Sequence, residues 1–371
     1  MTKNVLLLIL VIIMPCSIFA WDGKDLKKLN NSGNCIACNL SNLDLYGVNL
    51  SNSNLSGTDL SGSNLRNTNL SRTNLGGSNL NNANLSGADL SSSNLKDVTL
   101  ANAKLSMANL ANANLSNAYL SQTNFRGANL SYADLYQANL YNAELSNANL
   151  SNANLSNANI GSASLQGTNL DGANLTKANL SYSNLQGSTF NKTDLVGTDF
   201  TGAKLIEAEL SGMDLRFTKL TSANLLKAKL RQVNLSGSDL SKANFALADL
   251  SDANLSYTKL NFVTIGATNF KGANLTGADL RKTNFRRANL DGAKLISANF
   301  RKANIRKTSF VDADLSGANF TSANISKASF LGANLSGADL TSAKIGETDL
   351  SRALICGTVM PDETLDNSGC N

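Results

Sequence analysis

The sequence contains no histidine, one tryptophan and two prolines, and only 16% of its 371 residues are charged. Without histidine there is no imidazole general base, no imidazole metal ligand and no Ser-His or Cys-His nucleophile pair. Carboxylate chemistry remains open. After the N-terminal segment, no apolar run is long enough for a membrane helix. Leucine, asparagine, alanine and serine fill the space left. Length alone suggests two or three ordinary domains, but biased composition at fixed spacing is the mark of a repeat.

The N-terminus carries an export signature. Lys3 precedes an apolar run from Val5 to Met14, and Ser17-Ile18-Phe19-Ala20 ends in a small residue suited to cleavage. Residues 1–20 therefore read as a secretory signal peptide, with the mature chain starting at Trp21. A retained signal anchor is the alternative. Cys16 raises a lipoprotein reading, which the preceding Met14-Pro15 fits poorly.

Every fifth residue from Leu40 to Ile355 is Leu, Phe or Ile, which makes 64 consecutive pentads without insertion or deletion. Two residues earlier a small residue stands in 62 of the 64, Leu43 and Met213 excepted, and Asn or Asp lies between the two in 47. Residues 146–160, SNANLSNANLSNANI, show the pattern undiluted. A period of five matches neither the helical 3.6 nor the plain strand period of 2. In extended backbone, residues two apart face the same side. The small and large residues therefore face inward, Asn or Asp faces outward, and the remaining two residues turn a corner. If four such sides close a coil, the coil has 20 residues and stacks on the next at about 4.8 Å.

These pentads resemble the pentapeptide-repeat family, over residue 38 to about 360. The resemblance implies an all-β fold, a right-handed quadrilateral parallel β-helix of about 16 coils and roughly 77 Å. On this reading residues 21–37 form an N-terminal cap, 38–355 the β-helix and 356–371 a C-terminal cap. Trp21, Leu26 and Leu29 are spaced for one apolar face of a short capping helix. The C-terminal CGTVMPDETLDNSGC also looks like tails on exported members of the family.

The mature chain has four cysteines. A zinc site built from Cys35, Cys38, Cys356 and Cys370 is opposed by geometry, because the pairs fall at opposite ends of the repeat. Two local disulfides suit an oxidising compartment. Cys356–Cys370 would close a loop of about 15 residues, stabilising the end by about 3 kcal/mol. Cys35 and Cys38 both fall on inward phases, so a disulfide and two buried thiols stay open. No βαβ pattern supports a thioredoxin-like site.

Other motifs weigh less. Asn-Leu-Ser sequons are a by-product of the repeat, and their abundance favours bacterial export, to the periplasm or beyond. Outward asparagines either stack as amide ladders or satisfy corner backbone groups. Tyr132, Tyr136, Tyr141, Tyr182, Tyr257 and Phe262 fall on outward phases, and Ile206 and Leu226 share one outward column. They are a dimer patch or scattered surface. Glu207 and Glu209 are outward and lack the cleft that a catalytic pair needs. No cofactor, metal or catalytic residue is expected.

Charge is the asymmetric feature. Residues 21–270 carry 18 basic and 17 acidic side chains, residues 271–307 carry 10 and 2, and residues 308–371 carry 3 and 8. In a 20-residue coil Arg281 stacks under Arg301, Lys282 under Lys302, Arg286 under Arg306 and Arg287 under Lys307. All eight fall on corners, where like charges at strand spacing repel and a polyanion would relieve them. The competing reading is a solvated stripe balanced by neighbours. In support of it, the Arg287 column continues through Lys327 to Glu347, and Lys294 stacks under Asp314.

The sequence thus points to a non-enzymatic, exported, periplasmic or secreted scaffold. Its partner is an anionic envelope polymer or a protein, as for a secreted effector. Lipid A phosphates are one such polyanion, and nucleic acid is disfavoured. Some family members mimic DNA through negative charge and bind gyrase. The mature chain, at net +4 and with an export signal, fits that role badly.

Overall fold

The computed structural model describes residues 23–370. The expected signal peptide and Trp21 lie outside the described residues. The contacts gather into two compact units, the first running to Ser183 and including Ser188–Thr193, the second made of Asn184–Gly187 and everything from Asp194. Among the described residues no helix is long and apolar enough to cross a membrane.

The first unit opens with α1, Gly23–Ser32, which buries Leu26 and Leu29. Asp25 in its first turn accepts a hydrogen bond from the Asn39 N–H at 2.8 Å, tying the helix to the start of the repeat. Beyond it the pentads follow one rule. In most pentads the residue before the large apolar one makes a parallel bridge to the residue 20 further on, as in Asn39 with Asp59 and Asn109 with Asn129. Four bridge positions therefore recur per 20-residue coil. The small and large residues flanking each bridge are buried, Ala148 and Leu150 at 1% exposure each.

The corners explain the remaining composition. The second corner residue has positive φ from Asn42 to Ser342, for example Asn147 at 59° and Gly87 at 70°. Glycine pays no steric penalty there and asparagine tolerates it best among the others, so these two recur at the position. The next N–H closes the turn on the preceding large residue, as Ala83 does on the Leu80 carbonyl at 3.1 Å. Threonine and serine in small positions hide no unpaired hydroxyl: Thr68 donates to the Leu45 carbonyl at 2.8 Å. Among the described residues no buried side-chain nitrogen or oxygen lacks a partner.

The second unit repeats this rule with larger side chains inside. Phe300 and Phe320 lie 20 apart and stack at 4.9 Å with planes 1° apart, and Phe310 and Phe330 stack at 5.1 Å. These distances match the coil spacing of about 4.8 Å, so ring stacking and coil stacking are the same contact.

One side of the last coil is loosened while the 20-residue register persists. Leu350 has the inward phase but is only half-buried. The bridges continue instead through Asn334 with Leu354 and Asp339 with Val359. A hairpin of β1, Thr358–Val359, and β2, Leu365–Asp366, lies beyond. The ladder therefore runs past residue 355 into the expected cap.

Candidate functional site

All eight corner cations expected to stack are exposed. The register places them as the spacing requires. The Lys282 N–H donates to the Arg301 carbonyl at 3.1 Å, and the Arg287 N–H to the Arg306 carbonyl at 3.4 Å. Arg281, Lys282, Arg301 and Lys302 form one corner. Arg286, Arg287, Arg306 and Lys307 form the next. Between them runs one outward face whose bridge residues are Asn284 and Asn304, continued by Asn324. The backbone of the first arginine at each corner is fixed by a side chain two residues earlier: the Arg286 N–H donates to Asn284 Oδ1 at 3.2 Å and the Arg306 N–H to Asn304 Oδ1 at 3.4 Å. The result is a polar floor with a cationic rim on both sides.

Two of the eight have side-chain partners. Arg281 binds Asp279 through Nε and a terminal nitrogen, both at 2.7 Å. That hydrogen bond holds the Asp279 carboxyl below the usual carboxylate range against the opposing effect of burial. Lys282 Nζ sits 5.3 Å from the centre of the Phe262 ring. Among the described residues no carboxylate lies within ion-pair distance of Lys282, Arg286, Arg287, Arg301, Lys302, Arg306 or Lys307. Elsewhere in the unit the same 20-residue spacing matches charges. Lys219 pairs with Asp199 at 3.5 Å, Lys227 with Glu207 at 3.2 Å, Lys229 with Glu209 at 2.6 Å and Lys259 with Asp239 at 4.0 Å. Glu207 and Glu209 are thus partners of lysines.

The expected balancing pairs divide. Lys327 and Glu347 meet at 2.9 Å. Lys294 and Asp314 share a bridge without an ion pair, because Asp314 Oδ1 accepts from the Ser316 N–H and from Asn334 Nδ2.

The backbone ladder also thins below the rim. Lys242, Phe245 and Leu247 each donate an N–H to the next coil, and Lys282, Phe285 and Arg287 do so in the rim's own first coil. Among the described residues the equivalent bonds from Phe262, Ile265 and Ala267 are missing, although Thr264 and Asn284 keep their bridge.

Both cysteine pairs are disulfides, Cys35–Cys38 and Cys356–Cys370. This resolves the open choice at Cys35 and Cys38. Asp25 lies close to that pair, but with the sulfurs bonded to each other no thiolate remains for a metal. The asparagines do both things weighed for them. Asn129 Oδ1 accepts from the Ser131 N–H at 3.2 Å, and its Nδ2 donates to Asn109 Oδ1 at 3.1 Å.

With this geometry in view, the comparisons with known proteins decide the family. The family model described as pentapeptide repeats matches successive segments from 93–131 to 313–355, and the one described as a pentapeptide repeat region matches 34–105. The chain belongs to the pentapeptide repeat family. Solved structures of this family share its repeat. HetL from the cyanobacterium Nostoc, described as involved in heterocyst differentiation regulation, is 26% identical over 88% of this chain and 92% of its own, with a TM-score of 0.19. Trypsin-treated QnrB1, described as a plasmid-mediated fluoroquinolone resistance protein, is 20% identical over 53% of this chain and 90% of its own, with a TM-score of 0.35. Rfr23 from the cyanobacterium Cyanothece is 27% identical over 46% of this chain and 97% of its own, with a TM-score of 0.17. No curated protein matches the chain.

Within the pentapeptide frame, sequence reasoning missed the Asp279–Arg281 pair and the Lys282–Phe262 contact. The first had a signal. Asp214-Leu215-Arg216 and Asp279-Leu280-Arg281 share a spacing that puts carboxylate and guanidinium on the two arms of one corner, and Arg216 likewise meets Asp214 at 2.7 Å. The second follows from Phe262 standing 20 residues before Lys282.

Proposed function

We propose that this chain is a non-enzymatic, exported β-helical scaffold that engages polyanions through the cationic face at residues 281–307. We read its coil as right-handed and four-sided, with about 16 turns stacked at about 4.8 Å. The observation that carries the binding proposal is the contrast in pairing. The stacking register matches acid to cation along residues 199–259, whereas in 281–307 it sets corner cation on corner cation, and the one ion-paired acid at the rim is Asp279, just before it. Stacked like charges destabilise neighbouring strands, and a polyanion removes that repulsion. Family members built as negative DNA mimics would need the opposite surface charge.

The test is binding of the full chain to lipopolysaccharide, polyphosphate and heparin at about 0.1 M and about 1 M salt, where the Debye length falls from about 10 Å to about 3 Å. The comparison form changes Arg281, Arg286, Arg301 and Arg306 to Ser, a residue the same columns already carry at Ser241 and Ser326. Salt-sensitive binding that the variant loses supports the proposal. Binding unchanged in the variant, or absent from both, overturns it. Cell fractionation tests export separately: recovery of the chain in the cytosol would contradict it.

A further inference from the structure

The polyanion reading leaves unexplained why two of the four cationic columns carry an exposed apolar side chain one or two coils before the cations begin. Phe262, 49% exposed, occupies the corner column of Lys282 and Lys302. Leu247, 55% exposed, occupies the column that continues through Ala267 to Arg287 and Lys307. Leu226 stands half-buried in the column of Arg286 and Arg306. In the first unit the corner positions of this phase hold Asn42, Asn82, Asn102 and Asn142, the residue a positive φ favours, beside Gly62, Gln122, Ser162 and the exposed Tyr182. Phe262 and Leu247 instead hold φ of 61° and 60°, a conformation that costs a bulky side chain more than asparagine. About half of each side chain stays in water, and the one contact on the Phe262 ring comes from the rim itself, the Lys282 ammonium.

The face between these corners is free of acid. Its outward bridge residues from Asn244 on are Thr264, Asn284, Asn304 and Asn324. The flanking carboxylates Asp249, Asp279 and Asp291 lie outside the two corners, and Asp249 is engaged by the Ser251 N–H and Asn269 Nδ2. Asp279 is turned to Arg281, and Asp291 is engaged by the Ser309 hydroxyl and the Val311 N–H. The Lys282 ammonium lies over the Phe262 ring, so cationic and apolar groups adjoin without a gap. Between them the interstrand bonds from Phe262 and Ala267 are missing, which leaves two N–H groups at exposed corners.

Apolar side chains bordering clustered Lys and Arg on one face are the combination by which proteins lie on anionic lipid surfaces. The cations meet headgroup phosphates and the apolar groups enter the acyl boundary. A soluble polymer would use the cations and leave Leu247 and Phe262 idle. We propose that this face docks on an anionic lipid bilayer surface, with Leu247 and Phe262 inserted beside the cationic rim. This deepens the polyanion reading and rests on it.

The experiment is co-sedimentation of the full chain with vesicles of phosphatidylcholine plus phosphatidylglycerol, against phosphatidylcholine alone. Heparin retention is measured on the same samples. Two variants are compared, the four-Arg-to-Ser form and Leu247→Asn/Phe262→Asn, whose asparagines suit the corner backbone. Hydrogen exchange over residues 240–310 confirms that each is folded. Wild type should sediment with anionic vesicles only. The arginine variant should lose both vesicle and heparin binding. The Leu247→Asn/Phe262→Asn variant should lose vesicle binding by about tenfold or more while keeping heparin retention. Undiminished vesicle binding in that variant would overturn the inserted apolar edge. Heparin binding by wild type without vesicle binding would overturn the lipid proposal in favour of a soluble polymer and leave the polyanion reading standing. Absence of both would remove the two together.

Discussion

Residues 199–259 and 281–307 obey the same interior rule and differ at the corners and outward positions. In the first stretch, Lys219, Lys227, Lys229 and Lys259 each find an acid one coil earlier. In the second, each of the eight corner cations has another cation one coil earlier or later, and only Lys294 has an acid, Asp314, in that place. The buried positions are alike: Leu220 and Leu240 in one stretch, Phe285 and Phe300 in the other, all at 1% exposure or less. Fold and surface charge are therefore set by different residues of the pentad. The inward pair fixes where the chain goes, and the outward residues can be changed without moving it. A run of mismatched charge in such a frame is not forced by folding.

The largest effect should come from the interior and should not distinguish the two stretches. Phe300→Ala removes a ring packed on Phe285, Phe310 and Phe320 and should cost about 3–5 kcal/mol, against about 2–5 kcal/mol for Leu220→Ala. Hydrogen exchange should show protection lost around the altered coil first, since each coil contacts only its neighbours.

Exchanging the charge pattern should exchange the behaviour. Arg301→Glu with Arg306→Glu would set acids one coil above Arg281 and Arg286. The salt dependence of heparin binding should then fall by about one per cation removed or matched. Glu207→Lys with Glu209→Lys should create retention in the stretch that lacked it. Retention unmoved by either swap would show that local pairing is irrelevant.

Smaller effects sharpen the contrast in the outward faces. Asn244 Nδ2 donates to Asn224 Oδ1 at 3.2 Å while its Oδ1 accepts from the Ala246 N–H at 3.1 Å. Asn304 Oδ1 accepts from the Arg306 N–H at 3.4 Å. Asn244→Ala should cost about 1–2 kcal/mol and Asn304→Ala about half that, read from denaturant midpoints.

At the corner itself, Lys302 holds φ of 60°. Lys302→Gly should stabilise by at most about 1 kcal/mol while lowering retention, so that fold and binding move in opposite directions. The smallest effect is on pH dependence. Asp279 is depressed in the folded state by Arg281. Its contribution is therefore present above the unfolded value of about 3.9 and is lost as pH falls through the folded one. Thermal melts of wild type and Asp279→Asn should converge below that range.

The interior was legible in the sequence because one position, the large residue, recurs at an unbroken period. Buried Leu40 through Leu340 follow from counting alone. The corner cations were equally legible, since a 20-residue coil places Arg281 under Arg301. The side-chain outcomes were not. Lys294 and Asp314 have the right spacing, yet Asp314 is already engaged by Ser316 and Asn334. A register predicts who is adjacent, and competition for hydrogen bonds decides who pairs. Leu350 kept its phase but lost its burial, because the chain end replaces a further coil with the β1–β2 hairpin. Cys35 and Cys38 were ambiguous because an inward phase suits a thiol and a disulfide alike.

The central claim is that position within the pattern, and not net charge, makes the binding face. Salt elution from heparin tests it with three forms of the full chain. They are wild type, the variant with Arg281, Arg286, Arg301 and Arg306 changed to Ser, and a control with Lys219, Lys227, Lys229 and Lys259 changed to Ser. Both variants lose the same charge. The account predicts early elution for the arginine variant and near wild-type elution for the control. Equal shifts in both would contradict it.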